Sequence, residues 1–463
     1  MSSWKIYRSL FLVLFLVLSG LLGGCARVSR PGKSLVERLN YDQTIQARYQ
    51  LDRDWWLVYG DRRLDALVRV ALQNNLDLVR AAVNVNRALF QANLVGVNLI
   101  PVFTEGLSVS ARKNIKEGGS VARSVDVDFG LKYEVDLWRR LAASLSAAQW
   151  EYQATLEDLD AARLVLINSV VNTYYRLAYL NDALAEAEAG LKNLRSIEEK
   201  ILVKRQAGRG AAVEPAQAAQ VTLSAENNLL DYLRQRKTAE ETLRNLLNLN
   251  PSDPLDLEDL TLDYLQLPEL DLNVPLAVLA ARPDLRAAEF RLRRAFKNIE
   301  EAEASWFPSI TVNAALSSER VGFSQAFNAP VASLGLIFNL PFLNWNAILV
   351  NLRISEADFE EARLNFEQAL TVALNEVDRC YYIYKQASRE LVNTRKKYAY
   401  DLKIGCYYRD RYQSGAVELS DWLNAENAVN ASRLATLNAF YQTIKAENQT
   451  YQALAGRCLD HGG

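Results

Sequence analysis

Residues 282–308, RPDLRAAEFRLRRAFKNIEEAEASWFP, restate residues 75–101, NLDLVRAAVNVNRALFQANLVGVNLIP. The two stretches align without a gap, 207 positions apart, and share Asp77/Asp284, Leu78/Leu285, Ala81/Ala288, Arg87/Arg294, Ala88/Ala295 and Pro101/Pro308. Each reads as an amphipathic helix stopped by proline, which lacks the N–H a helix needs and clashes with the preceding turn.

Beyond each proline the period changes. In 125–136, VDVDFGLKYEVD, apolar Val125, Val127, Phe129, Leu131, Tyr133 and Val135 alternate with Asp126, Asp128, Gly130, Lys132, Glu134 and Asp136. A two-residue period is the mark of a strand with two unlike faces. Leu107, Val109 and Ala111 alternate with polar neighbours upstream, and the turn-rich KNIKEGGS lies between. Residues 105–136 therefore read as a hairpin. Residues 309–341 repeat the pattern through Ile310, Val312, Ala314 and Leu316, then Leu334, Leu336, Phe338 and Leu340, with Ile337 as the one misfit. Strands of about ten residues cross a bilayer at a tilt.

Residues 102–214 and 342–463 contain no proline. They are rich in good helix formers, and a helix over 142–207 would run about 100 Å. Leu177, Leu180, Leu184, Leu191, Leu194 and Ile201 sit at coiled-coil spacing. Gly208 and Gly210 break this helix, and Pro215 opens a returning one. A second long helix over 347–413 turns around Gly415, again 207 positions after Gly208. Between the copies, 250–275 holds four prolines and seven acids and reads as a surface connector.

The expected organisation is a signal peptide over 1–24, a lipid-anchored extended segment over 25–62, a first repeat over 63–249, the connector, a second repeat over 276–456, and a tail over 457–463. Lys5 and Arg8 precede the short apolar run LFLVLFLVLSGLLGG, which ends at Cys25. Leu22-Gly23-Gly24-Cys25 resembles a bacterial lipobox, which makes Cys25 the expected acylation site. Ala26 in place of aspartate fits sorting to the outer membrane. Acyl chains contribute about 0.8 kcal/mol per buried methylene, so they anchor without spanning.

The 53 Lys+Arg and 55 Asp+Glu leave a formal charge of −2, with no basic block, which argues against a nucleic-acid partner. The only histidine is His461, and Met1 is the only methionine. No phosphate-binding loop or Cys/His cluster is present, so no metal and no cofactor are expected beyond the lipid on Cys25. Cys380, Cys406 and Cys458 remain; Cys380 could meet Cys458 across antiparallel helices, but separate buried thiols are the simpler expectation.

Four strands cannot close a barrel, because about eight are needed even for a small one. Open strand edges in lipid would leave backbone groups unpaired at several kcal/mol each. If the strands span a membrane, subunits must pool them, with apolar side chains outward and Asp126, Asp128, Lys132, Glu134 and Asp136 toward a water-filled lumen. Duplication then gives a ring with twice as many near-equivalent staves.

These residues resemble the TolC/OprM-type outer-membrane factors, in their NodT-like lipoprotein branch. RPDLRAAE at 282–289 matches the family's most specific motif. DWWLVYGDRRLDALVRVALQNNLDLVRAA at 54–82 and YEVDLWRR at 133–140 support it. The resemblance implies a mainly α fold with a transmembrane β component, in which a homotrimer builds a twelve-stranded barrel over a periplasmic helical tunnel. It implies a passive conduit, not an enzyme, that exports small molecules with a periplasmic adaptor and an inner-membrane pump of the proton-driven RND type. An ATP-driven polypeptide exporter is the alternative system. A periplasmic coiled-coil adaptor lipoprotein is the alternative of a different class, although it would carry one hairpin within a lipoyl-like domain. Arg139 stands where the family's DLWGR motif has glycine, and Asn344-Trp345-Asn346 where an aromatic-aspartate-glycine turn is common, so both strand-to-helix turns depart from the pattern.

The resemblance also assigns sites. The two periplasmic turns become adaptor-docking tips, with Arg205, Gly208, Arg209, Arg411, Gly415 and Ala416 as candidates. Tyr412, Glu418 and Asp421 become candidates for the periplasmic gate, where three copies of each carboxylate would crowd an axis and attract cations. The plainer expectations are helix termination at the glycines and dipole-favoured acids at a helix start.

Overall fold

The computed structural model describes residues 49–52, 54–113, 121–255, 257, 259–262, 265, 276–320 and 331–460; Cys25 and the signal segment lie outside them. After strand β1 (Tyr49–Asp52) come helices α1 (Arg62–Asn74) and α2 (Leu76–Gly96), strands β2 (Val102–Arg112) and β3 (Ala122–Val135), and helices α3 (Arg140–Gln206) and α4 (Glu214–Leu247). The order then recurs as helix α5 (Pro283–Ala304), strands β4 (Ser309–Arg320) and β5 (Val331–Asn339), and helices α6 (Trp345–Gln413) and α7 (Leu419–Ala453), before strand β6 (Arg457–Asp460). The fold is mainly helical. Helices α3 and α6 contain 67 and 69 residues, about 100 Å each.

Strands β2, β3, β4 and β5 form one antiparallel sheet in that order, while β1 pairs with β6. The register puts Asp126 across from Ser108 and Glu319, Asp128 across from Gly106 and Ser317, and Lys132 across from Asn313. The opposite face carries Phe129 beside Leu316, Leu131 beside Ala314, and Ile310 beside Phe338. Among the described residues the sheet is open at both edges.

Each repeat's helix start is tied to the end of its own return helix by the same bond. Asn75 caps α2, accepting from the backbone N–H groups of Asp77 and Leu78, and its amide donates to the Leu246 carbonyl at 3.0 Å. At the equivalent place Arg282 precedes Pro283, which opens α5, and donates to the Ala453 carbonyl at 2.7 Å. Arg282 also grips both oxygens of Asp284, at 3.0 and 2.6 Å, and reaches Glu376 of α6 at 2.8 Å. This explains the RPD motif: proline fixes the first turn, and a buried guanidinium fork joins three helices.

The largest core cluster joins Trp55, Trp56, Leu64 and Val68 to Val170, Tyr174 and Leu177 of α3, Leu243 and Leu247 of α4, and Ile444 and Tyr451 of α7. Burial, followed by the hydrogen bond to Asp61, pushes the Tyr174 phenol well above its ordinary range and keeps it neutral. Cys380 is a free, buried thiol raised first by burial and then by the Glu376 carboxylate. Cys406 is exposed and free, and the Cys458 side chain lies outside the described residues.

The turn into α3 accounts for one departure from the family pattern. Arg139 has φ +60°, in the left-handed region that favours glycine. A non-glycine residue there carries about 1–2 kcal/mol of strain. Arg139→Gly is therefore expected to stabilise the chain by about 1 kcal/mol, after allowance for glycine's looser unfolded state, read as a rise in the thermal midpoint of helix loss. The second copy avoids the left-handed residue: a short 3-10 turn, Pro341–Asn344, leads into α6, and Asn344 has φ −109°.

Candidate functional site

Three surfaces carry the candidate residues. On the sheet, Asp126, Asp128, Lys132 and Glu134 share one face, with Asp126 accepting from Ser108 at 3.0 Å. Asp136 lies one residue past β3, and its carboxylate accepts from the backbone N–H groups of Leu141 and Ala142 at 3.0 and 2.9 Å. An acid there satisfies orphan donors of the first turn of α3 and favours its dipole, so it belongs to the helix start. Glu134 is paired as well, with Arg140 at 2.8 Å.

The other sheet face is apolar and open. Phe103 is 81% exposed, Leu334 78%, Val109 71% and Leu107 60%, and Phe129, Leu336 and Phe338 are also exposed. At the foot of the sheet Trp138 stacks on Phe307 at 4.6 Å and donates its indole N–H to the Pro308 carbonyl at 2.9 Å. Phe342, Leu343 and Trp345 are exposed beside the start of α6. A contiguous apolar face of this kind, bordered by aromatics, is foreign to the water-facing surface of a monomer.

The third surface is the pair of helix tips. Both long helices end alike: Gly208 has φ +76° and Gly415 φ +75°, and the next residue's N–H bonds back to a carbonyl five residues earlier, Arg209 to Lys204 at 3.1 Å and Ala416 to Arg411 at 2.9 Å. That is the Schellman closure, which requires a left-handed residue at the break. A Cβ at Gly415 would meet nothing within 4 Å, so Gly415→Ala isolates backbone strain. It is expected to cost about 1 kcal/mol of stability with no other change, checked by thermal unfolding. Arg205, Gly208, Arg209, Arg411, Gly415 and Ala416 are all exposed at these turns.

Behind the turns the four long elements meet in a small core of Leu194, Ile197 and Ile201 from α3 with Leu419, Trp422 and Leu423 from α7. Tyr412, in the last turn of α6, stacks on Trp422 at 5.2 Å, and its hydroxyl accepts from the Lys204 ammonium of α3 at 2.9 Å. Lys204 also lies 4.6 Å from the Tyr412 ring centroid and 3.9 Å from Glu214 of α4. The hydrogen bond to Tyr412 outweighs partial desolvation and raises the Lys204 pKa. One tyrosine thus ties α6 to α3 and α7, and Lys204 extends the tie to α4. The resemblance pointed to Tyr412 but not to Lys204 or Trp422, which lie on other helices.

Glu418 and Asp421 come together at the start of α7 as a capping box, with the Glu418 N–H donating to Asp421 at 3.3 Å. Both are exposed. The single chain therefore gives them a helix-cap role in full and does not stack them against Tyr412. A groove of about 890 Å³ runs above this core between α3, α4 and α7, bordered by Asn228, Gln235, Asn430 and Asn438.

The sequence matches the outer membrane efflux protein family over residues 67–249 and again over 274–456, and the chain belongs to that family. It is a transport channel component rather than an enzyme. It is 42% identical to toxin and drug export protein A of Aggregatibacter actinomycetemcomitans, over 96% of this chain and 97% of that one. It is 26% identical to the pyoverdine export outer membrane protein OpmQ of Pseudomonas aeruginosa, over 94% of each. The open state of the MtrE outer membrane channel of Neisseria gonorrhoeae superposes with a TM-score of 0.78 at 28% identity, covering 85% of this chain and 89% of that one.

Proposed function

We propose that three copies of this chain pool their sheets into a twelve-stranded outer-membrane barrel, continued by α3, α4, α6 and α7 as a periplasmic tunnel. The observation that carries this reading is the four-stranded sheet with one polar and one openly apolar face and two unpaired edges. Such a sheet is unstable alone in lipid, and closure by identical neighbours removes its edges. The apolar face then meets lipid, the foot aromatics sit at the membrane–water boundary, and Asp126, Asp128, Lys132 and Glu134 face the lumen. Acylation of Cys25 adds an anchor.

In this reading the channel is passive and receives cargo from an inner-membrane pump of the RND type through a periplasmic adaptor docked at the Gly208 and Gly415 turns. The name toxin and drug export protein A, carried by a relative, favours keeping a second system in view, an ATP-driven polypeptide exporter. Photo-cross-linkers placed at Arg209 and Ala416 in cells test the docking. Capture of an adaptor encoded with a proton-driven pump supports small-molecule efflux; an adaptor of an ATP-driven exporter supports the second system; no adduct from either turn contradicts docking there.

A further inference from the structure

The apolar face of the sheet ends in cations at the rim farthest from the helices. Among the residues it pairs, the strand register puts three charged ones on that face, Glu105, Arg123 and Arg320. Arg320 closes β4 beside Val125, and Arg123 lies two residues further along β3, opposite Ala111. Arg112 at the end of β2 and Lys113 just beyond it are exposed at the same rim. The stretch 112–123, RKNIKEGGSVAR, holds four cations against one acid, Glu117, which lies outside the described residues.

The sheet does not neutralise this rim. Among the described residues, no carboxylate lies within ion-pair distance of Arg112 or Lys113. Glu105 is level with Phe129, about 13 Å along the strand from Val125. Glu319 is in register with Asp126, on the polar face. A neighbouring copy brings no acid either, because residues 321–355, which include β5, contain no Asp or Glu. The height of the rim is informative too. From Ile310 to Arg320, β4 climbs about 25 Å at a barrel strand's tilt of about 40°, which is the height of the apolar band of an outer-membrane barrel. The foot aromatics stand at one boundary of that band and the cations at the other. Between them Val109 and Leu107 are exposed on β2, beside the buried pair Val125 and Val127.

We propose that this rim binds the phosphorylated glycolipid of the outer leaflet, with its phosphates on Lys113, Arg123 and Arg320 and its acyl chains along Val109 and Leu107. The proposal rests on the channel reading above, which puts the helices in the periplasm and the rim at the outer leaflet. Arginine meets a phosphate with two parallel N–H donors, and clustered cations at a bilayer surface select anionic headgroups. An apolar column beneath the charges then receives the chains of the same molecule. Each copy carries its own site.

The test titrates the full-length channel in detergent with purified diphosphoryl lipid A. Native mass spectrometry counts the retained lipid and the subunits together. The expected result is a trimer that retains diphosphoryl lipid A and holds monophosphoryl lipid A and phosphatidylglycerol more weakly, a comparison that needs no variant. Lys113→Gln, Arg123→Gln and Arg320→Gln combined should lower retention about tenfold, the sum of several exposed charge contacts. Arg112→Gln, on the polar face, should leave it unchanged, and Arg123→Lys with Arg320→Lys should retain more than the glutamine variant. Retention that ignores the triple substitution overturns the proposal. So does phosphatidylglycerol held as tightly as diphosphoryl lipid A, which would mean general attraction to anionic lipid, and so does loss of retention on adding a metal chelator, which would mean bridging by a divalent cation. A trimer that holds no lipid A overturns it while leaving the channel reading intact; a monomeric protein removes both.

Discussion

Arg282→Ala should lower the stability of the folded chain by about 3 kcal/mol, the range expected when one member of a buried ionic cluster is deleted. The guanidinium is nearly enclosed and holds Asp284, Glu376 and the Ala453 carbonyl together, so its removal leaves two carboxylates and a carbonyl short of a donor. Arg282→Lys should recover only a minor share, because one ammonium cannot reproduce a two-pronged grip on Asp284 and also reach two other helices. The effect has a pH signature. Burial alone would raise the Asp284 carboxyl, but the hydrogen bonds and charge of Arg282 outweigh it and hold it below the ordinary carboxylate range. A depressed carboxylate contributes stability above its unfolded pKa of about 3.9 and loses it as pH falls through the lower folded value. The gap between wild type and Arg282→Ala should be full near neutrality and narrow below about pH 4. Thermal melts followed by helix content check both statements; a pH-independent gap would show that Asp284 does not depend on Arg282.

Tyr412→Ala should loosen the periplasmic tips. It deletes the stack on Trp422 and the acceptor for Lys204. An aromatic pair is worth about 0.5–1.5 kcal/mol beyond its area, and a cation over a ring adds about 0.5–1. A gate role for Tyr412 predicts that a loss of about 1–2 kcal/mol shifts a closed-to-open balance by a factor of about 5–30 and that conductance in planar bilayers rises steeply; a purely structural role predicts lost stability with conductance unchanged. Lys204→Met keeps the stack and should give an intermediate rise. Glu418→Ala with Asp421→Ala separates the two roles available to those acids. A gate role predicts higher conductance; a helix-cap role alone predicts about 1 kcal/mol of lost stability with conductance unchanged.

Where local chemistry decides, the sequence was readable. The polar–apolar alternation through Phe129 and Tyr133 specifies a strand because a one-residue slip would turn every charge to the apolar face. The ends of α3 and α6 were readable because only glycine takes the φ values of Gly208 and Gly415 without strain. The helix-start role of Asp136 was hidden because it continues the alternation, although the strand has ended and two helical N–H groups claim its carboxylate. Arg282 with Glu376 and Lys204 with Tyr412 were hidden for another reason. Each pair joins helices far apart in the chain, and periodicity reports which face of a helix is buried, not which helix it meets. Arg139 was flagged only as an odd residue; its left-handed φ supplies the reason that glycine is usual there.

The central claim is that one chain supplies a third of a closed pore. Light scattering of the full-length protein in detergent, with the detergent mass subtracted, tests it directly. A single species at three times the mass of one chain is the predicted result, because only pooled sheets remove the open edges of β2 and β5. A monodisperse monomer would contradict it.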